Sequence, residues 1–139
     1  MSSNIKITNV ESLHCDAGWR NFSFLKISTN EGITGYSEYN QSYGSFGVST
    51  AIDKLKELIV GSPALRHETI FSRLHAITRQ APGGINMQAL AAIENALLDI
   101  KGKTLGLPCY ELLGGKMRDD LPLYWSHCGT YRLHKSTAQ

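Results

Sequence analysis

The sequence predicts an α+β fold: a three-stranded antiparallel meander, then a helical bundle, then one short apolar strand near the C-terminal end. Three observations carry this. The first forty residues hold β-rich runs separated by glycine-containing turns. Apolar residues recur at helical spacing between residues 50 and 79. Residues 86–104 are apolar almost all the way round a helical wheel, as expected of a helix buried on more than one side.

Residues 4–14 alternate at Ile5 and Ile7 and continue through Val10 to Leu13, which reads as a first strand. Residues 15–21, Cys-Asp-Ala-Gly-Trp-Arg-Asn, break the pattern and read as a loop. Residues 22–29 form a second strand with Leu25, Ile27 and Thr29 on one face. Asn30-Glu31-Gly32 supplies a tight turn, and residues 33–39 a third strand. A Gly/Ser/Tyr-rich loop follows, from Asn40 to Val48. Thr50-Ala51-Ile52-Asp53 has the spacing of a capping box, with Asp in place of Glu or Gln, and predicts a helix start there. Ile52, Leu55, Leu58 and Ile59 make its apolar face, and Gly61-Ser62-Pro63 ends it. A second amphipathic helix is expected from Glu68 to Arg79, stopped by Ala81-Pro82-Gly83-Gly84. The long apolar helix over residues 86–104 ends at Gly106. Pro108 opens a short helix that closes at Gly114-Gly115. Leu121–Trp125 reads as an apolar strand of the kind buried in parallel sheets, and the tail from Arg132 is polar without a pattern.

With 139 residues, 42% of them hydrophobic, the chain holds about one domain. It is too short for a complete (β/α)₈ barrel, which needs about 250 residues. A formal charge of +2 is too weak to imply nucleic acid or an anionic membrane as partner. The apolar runs are too short to span a bilayer, and MSSNIKITN has no apolar signal core. Three widely spaced cysteines, Cys15, Cys109 and Cys128, fit reduced thiols in a cytoplasmic protein.

Several segments, in order, resemble one family. They are Ala92-Ile93-Glu94-Asn95-Ala96-Leu97-Leu98-Asp99-Ile100-Lys101-Gly102-Lys103, then Leu105-Gly106-Leu107-Pro108, then Leu112-Leu113-Gly114-Gly115. Gly83-Gly84 before the long helix and the hairpin Asn30-Glu31-Gly32-Ile33-Thr34-Gly35-Tyr36-Ser37-Glu38 fit as well, with Ser37 where Gly is usual. Together they are similar to the enolase superfamily, in particular its mandelate racemase and muconate lactonizing group. The resemblance implies an α+β capping domain at residues 1–120, and at 121–139 the first strand and loop of a truncated TIM-type barrel. The long helix would pack between cap and barrel. The implied activity of the intact enzyme is proton abstraction α to a carboxylate, with Mg²⁺ stabilising the enediolate, in a sugar-acid dehydratase or racemase. In the family the metal-binding carboxylates and the acid/base residues lie downstream of the first barrel strand. No catalytic and no metal-ligating residue is therefore assigned here. The chain is expected to bind no Mg²⁺ and to be inactive alone. The implied partners of the intact enzyme are a sugar acid and further copies of itself.

The resemblance leaves this chain the specificity loops, at about 15–21 and 40–47. Trp19 would exclude water and pack on substrate, and Arg20 would bind a distal carboxylate or hydroxyl. The plainer alternative is an exposed Trp–Arg pair on a turn. Tyr39, Gln41 and Tyr43 offer hydrogen bonds to a polyhydroxy acid, or belong to an ordinary polar loop. His127, with Ser126 and Cys128, follows the first barrel strand and would line the pocket or sit in a connecting loop. Glu94, Asp99 and Lys101 in the apolar helix read as structural groups, with Asp99 and Lys103 spaced to pair directly. The doublets His14-Cys15 and His127-Cys128 do not suit zinc, since adjacent residues do not readily converge on one ion. They do not suit a thiol nucleophile with its base either, since neighbours in a strand point to opposite faces. The remaining alternative is a non-enzymatic binding or dimerisation module with the cap fold.

Overall fold

The computed structural model describes residues 4–18, 20–42 and 45–124. Strands β1 (Ile7–Asp16), β2 (Asn21–Thr29) and β3 (Thr34–Tyr39) form one antiparallel sheet in the order β1-β2-β3. Four helices follow: α1 (Val48–Ile59), α2 (His67–Ile77), α3 (Gly84–Leu105) and α4 (Cys109–Leu112). The meander and the helical bundle stand in the order the sequence predicts.

β2 alternates strictly. Ser23, Leu25, Ile27 and Thr29 are buried toward the helices, whereas Phe22, Phe24, Lys26 and Ser28 are only partly covered on the outer face. β1 pairs with it from Ile7↔Thr29 to Asp16↔Asn21, with one irregularity between Ile7 and Asn9. The loop expected at 15–21 is therefore shorter, because Cys15, Asp16 and Asn21 belong to the ladder. Two hydrogen bonds close the hairpin. The Gly18 N–H donates to Asp16 Oδ1 (2.8 Å) and the Ala17 N–H to the Arg20 carbonyl (3.0 Å). Gly18 takes φ 80°, a left-handed conformation that favours glycine.

α3 is the axis of the core. It packs against β2, β3, α1, α2 and α4. Leu90, Ile93, Leu97 and Ile100 are all at most 2% exposed. Burial of each such side chain is worth about 1.5–3 kcal/mol. The all-round apolarity of this segment is thus used largely within the described residues, with the sheet on one side and α1 and α2 on the others. α3 meets β3 most closely at Gly35, where a Cβ would overlap the Ala96 carbonyl oxygen and lie 2.7 Å from Ile100 Cγ1. One residue pair further along, Ser37 Oγ donates to the Ala92 carbonyl at 2.6 Å, so Ser replaces the expected Gly with a bond between strand and helix.

β3 is an edge strand, and α3 covers its edge with side chains. The Tyr36 N–H donates to Asp99 Oδ2 (2.8 Å), and Lys103 Nζ donates to the Thr34 carbonyl (2.8 Å) and to Asp99 (2.6 Å). Asp99 and Lys103 pair at the four-residue spacing, and together they occupy backbone groups that a further strand would otherwise take. Gly102 has a different role: a Cβ there would lie 2.8 Å from the Leu107 carbonyl oxygen, where the chain turns back toward α4.

Two local expectations differ from the structure. α1 begins at Val48 and not after Thr50. One of its N-terminal donors is satisfied by a side chain from outside the helix: Gln41 Oε1 accepts the Ser49 N–H at 2.8 Å, while Asp53 pairs with Lys56 at 2.7 Å. The Thr50–Asp53 spacing thus lies inside the helix. Leu121–Tyr124 form no strand, and Leu123 is 92% exposed. A strand needs a neighbour to complete its hydrogen bonds, and none of the three described strands pairs with these residues. Trp125, the last residue of the expected strand, lies outside the described residues. Among the described residues no helix is long and apolar enough to cross a membrane.

Candidate functional site

At the open end of the sheet, the β1–β2 hairpin and the chain leaving β3 enclose a cleft of about 600 Å³, lined by His14, Arg20, Asn21, Ser23, Asn40, Gln41 and Ser42. Every described lining residue has a polar side chain. Two come from the sheet's inward face: His14 and Ser23 are cross-strand partners, with His14 Nδ1 and Ser23 Oγ 3.1 Å apart. Asn21 opens β2, and Asn40, Gln41 and Ser42 follow β3.

The cleft floor is built by a hydrogen-bonded chain. Tyr39 is 6% exposed, and its hydroxyl lies 2.8 Å from Ser49 Oγ, at the start of α1. Ser49 Oγ in turn donates to Gln41 Oε1 at 2.5 Å, the same oxygen that accepts the Ser49 N–H. The His14 ring stands edge-on to Tyr39, centroids 6.4 Å apart. Further along the loop, Asn40 Oδ1 accepts the Ser42 N–H (2.9 Å), and the buried Ser45 accepts from Gln88 Nε2 of α3 (3.1 Å). Helix side chains thereby fasten the loop from below.

Of the residues singled out in the sequence, Arg20 and Gln41 line the cleft. Arg20 Nη2 donates to Glu38 Oε1 at 2.9 Å, and its guanidinium carbon lies 4.0 Å from the Phe22 ring centroid. Gln41 places its carbonyl oxygen on α1. Tyr39 is part of the floor, with its hydroxyl engaged internally. Trp19, Tyr43 and His127 lie outside the described residues. Sequence reading does not single out Asn21, Ser23, Asn40 or Ser42, and considers His14 only beside Cys15. A signal was nonetheless present. In the inward series 23, 25, 27, 29, Ser23 is polar at the end nearest the hairpin, and its register partner is a histidine.

Among the described residues no three His, Cys, Asp or Glu side chains are grouped to hold a metal ion. Several carboxylates are instead paired singly with cations, as in Glu11–Lys26 (3.1 Å), Glu38–Arg20 (2.9 Å) and Asp119–Lys116 (2.7 Å). These residues do not fit a magnesium site, and no step through magnesium falls to them. What the cleft can do is bind: its amides, hydroxyls and imidazole donate and accept hydrogen bonds on one concave surface.

Comparison with known proteins places this architecture. Residues 12–114 match the model of the mandelate racemase / muconate lactonizing enzyme N-terminal domain. The chain belongs to that family, the capping domain of the enolase superfamily. It is 40% identical over 120 residues to the D-galactonate dehydratase of Xanthomonas euvesicatoria pv. vesicatoria (strain 85-10), covering 86% of this chain and 31% of that one. A Burkholderia xenovorans strain LB400 protein, provisionally described as an L-alanine-DL-glutamate epimerase and solved with magnesium and fumarate, superposes with a TM-score of 0.87 at 52% identity. That match covers 91% of this chain and 32% of the other. A mandelate racemase/muconate lactonizing protein from Paracoccus denitrificans PD1222, complexed with magnesium, gives a TM-score of 0.77 at 34% identity, over 85% and 32% of the two chains. The chain thus spans about a third of the length of the relatives it matches.

Proposed function

We propose that this chain is the substrate-capping part of a magnesium-dependent sugar-acid dehydratase, and that its polar cleft reads the end of the substrate farthest from the reacting carbon. The observation that carries this is the cleft itself, whose described lining residues all bear polar side chains, between the two segments where family resemblance expects specificity loops. Similarity to a D-galactonate dehydratase supports a polyhydroxy acid as the ligand class. In the proposed whole, a barrel domain supplies the magnesium ligands and the acid/base pair, and the chemistry is dehydration of the acid. The cap's residues orient the polyol chain and exclude water. Exposed Leu105, Leu107, Tyr110, Leu113 and Leu121 at the α3–α4 end support such a neighbouring domain.

Grafting residues 4–114 onto the barrel of the Xanthomonas D-galactonate dehydratase tests this reading. A panel of sugar acids assayed with Mg²⁺ is expected to show dehydration with a changed order of kcat/KM among the acids. An order identical to that of the parent enzyme refutes the cleft as reader. The 139-residue chain alone, assayed with the same panel, is expected to show no turnover. Robust turnover refutes the division of labour.

A further inference from the structure

Among the described residues that line the cleft there is one guanidinium, and it is paired with a carboxylate. Arg20 lines the wall, yet its Nη2 is bonded to Glu38 Oε1 at 2.9 Å and its planar head lies over Phe22. Phe22 and Glu38 stand on the outer face of the sheet, because side chains alternate along β2 and β3 and the buried Ser23 and Tyr39 occupy the inner face. Glu38 therefore matches the charge of Arg20 and holds its head toward the outer face. A second carboxylate, Asp16, sits opposite Asn21 at the same rim. The rest of the described lining, apart from the His14 imidazole, consists of amides and hydroxyls.

Hydroxyl groups of a ligand donate and accept, and this lining offers both functions. A carboxylate only accepts, carries a charge, and would meet here a cation already paired with Glu38. We propose that Glu38 determines the charge specificity of the cleft. By pairing with Arg20 on the outer face, it leaves a neutral wall that takes the uncharged polyhydroxyl end of a sugar monocarboxylate and rejects the second carboxylate of a diacid. The proposal rests on the reading that the cleft receives the substrate's far end. Glu38 acts through Arg20 and makes no contact with the ligand.

The test uses the 139-residue chain, titrated by amide chemical-shift mapping with galactitol, a neutral polyol, and with galactarate, which bears a carboxylate at each end. In the wild type both are expected to shift the amides of Asn21, Asn40 and Ser42, with galactarate binding no tighter than galactitol. In Glu38→Gln, galactarate is expected to gain about tenfold over galactitol, the scale of one charge-assisted hydrogen bond. Adding Arg20→Gln to that variant is expected to remove the gain. Arg20→Gln alone leaves Glu38 unpaired beside the cleft and is expected to weaken galactarate relative to galactitol, and this variant carries the test if Glu38→Gln does not give a dispersed spectrum. A wild-type preference for galactarate of tenfold, a Glu38→Gln ratio equal to wild type, or an Arg20→Gln ratio that does not fall below wild type overturns the role of Glu38 while leaving the cleft as reader. Absence of cleft shifts with either probe overturns the cleft assignment itself.

Discussion

Gly35→Ala is the most informative single change. The added methyl would overlap the Ala96 carbonyl oxygen and approach Ile100 Cγ1 to 2.7 Å. Ordinary carbon contacts lie near 3.5–4.0 Å, so β3 and α3 must separate by about 1 Å or more. The obstructing atom is helix backbone, which no rotamer change can move aside. Overpacking of this kind costs about 1–3 kcal/mol. The same separation stretches three bonds that join strand to helix: Ser37–Ala92 (2.6 Å), Tyr36–Asp99 (2.8 Å) and Lys103–Thr34 (2.8 Å). Weakening them adds about 1 kcal/mol, for a total of about 2–4 kcal/mol. In a protein of this size that corresponds to a fall in Tm of about 10 °C. Urea unfolding followed by far-ultraviolet circular dichroism, with a thermal melt, measures both. Truncating Ile100 in the same chain is expected to give no rescue, since the backbone oxygen remains. A loss below about 1 kcal/mol, or rescue by Ile100→Ala, refutes the close approach as the reason glycine is needed.

Two further changes test the network around the sheet. Asp99→Ala removes the acceptor of the Tyr36 N–H and the partner of Lys103, and is expected to cost about 1–2 kcal/mol in urea unfolding. Asp99→Asn keeps an acceptor for that N–H and is expected to recover part of the loss, whereas equal losses would show that the strand-edge bond contributes nothing. Ser49→Ala breaks the link between Tyr39 and Gln41 and is expected to lower stability by about 1 kcal/mol. It is also expected to move the amide resonances of Gln41 and Ser42; unchanged resonances there would mean that the floor does not hold the loop.

The sequence by itself determined the order of the elements, the meander and the membership of the family. These depend on periodicity and turn chemistry, which act between near neighbours. Leu25, Ile27 and Thr29 reveal a strand face because side chains alternate, and residues 86–104 reveal a central helix because no polar stripe interrupts them. The Asp99–Lys103 pair was legible for the same reason, being four residues apart on one helix. Tertiary structure decided what those elements touch. The cap of α1 comes from Gln41, although a local Thr50–Asp53 signal is present, because a partner delivered by the preceding loop reaches the Ser49 N–H. Gly35 is required by an α3 carbonyl 61 residues away in the chain. The cleft joins His14 to Ser23 through strand register and to Asn40, Gln41 and Ser42 through the turn out of β3. Arg20 lines the cleft as its loop position suggests, and the pairing of β2 with β3 brings Glu38 within 2.9 Å of its guanidinium. Such pairings are fixed by packing across the fold, where distance along the chain has no bearing on distance in space.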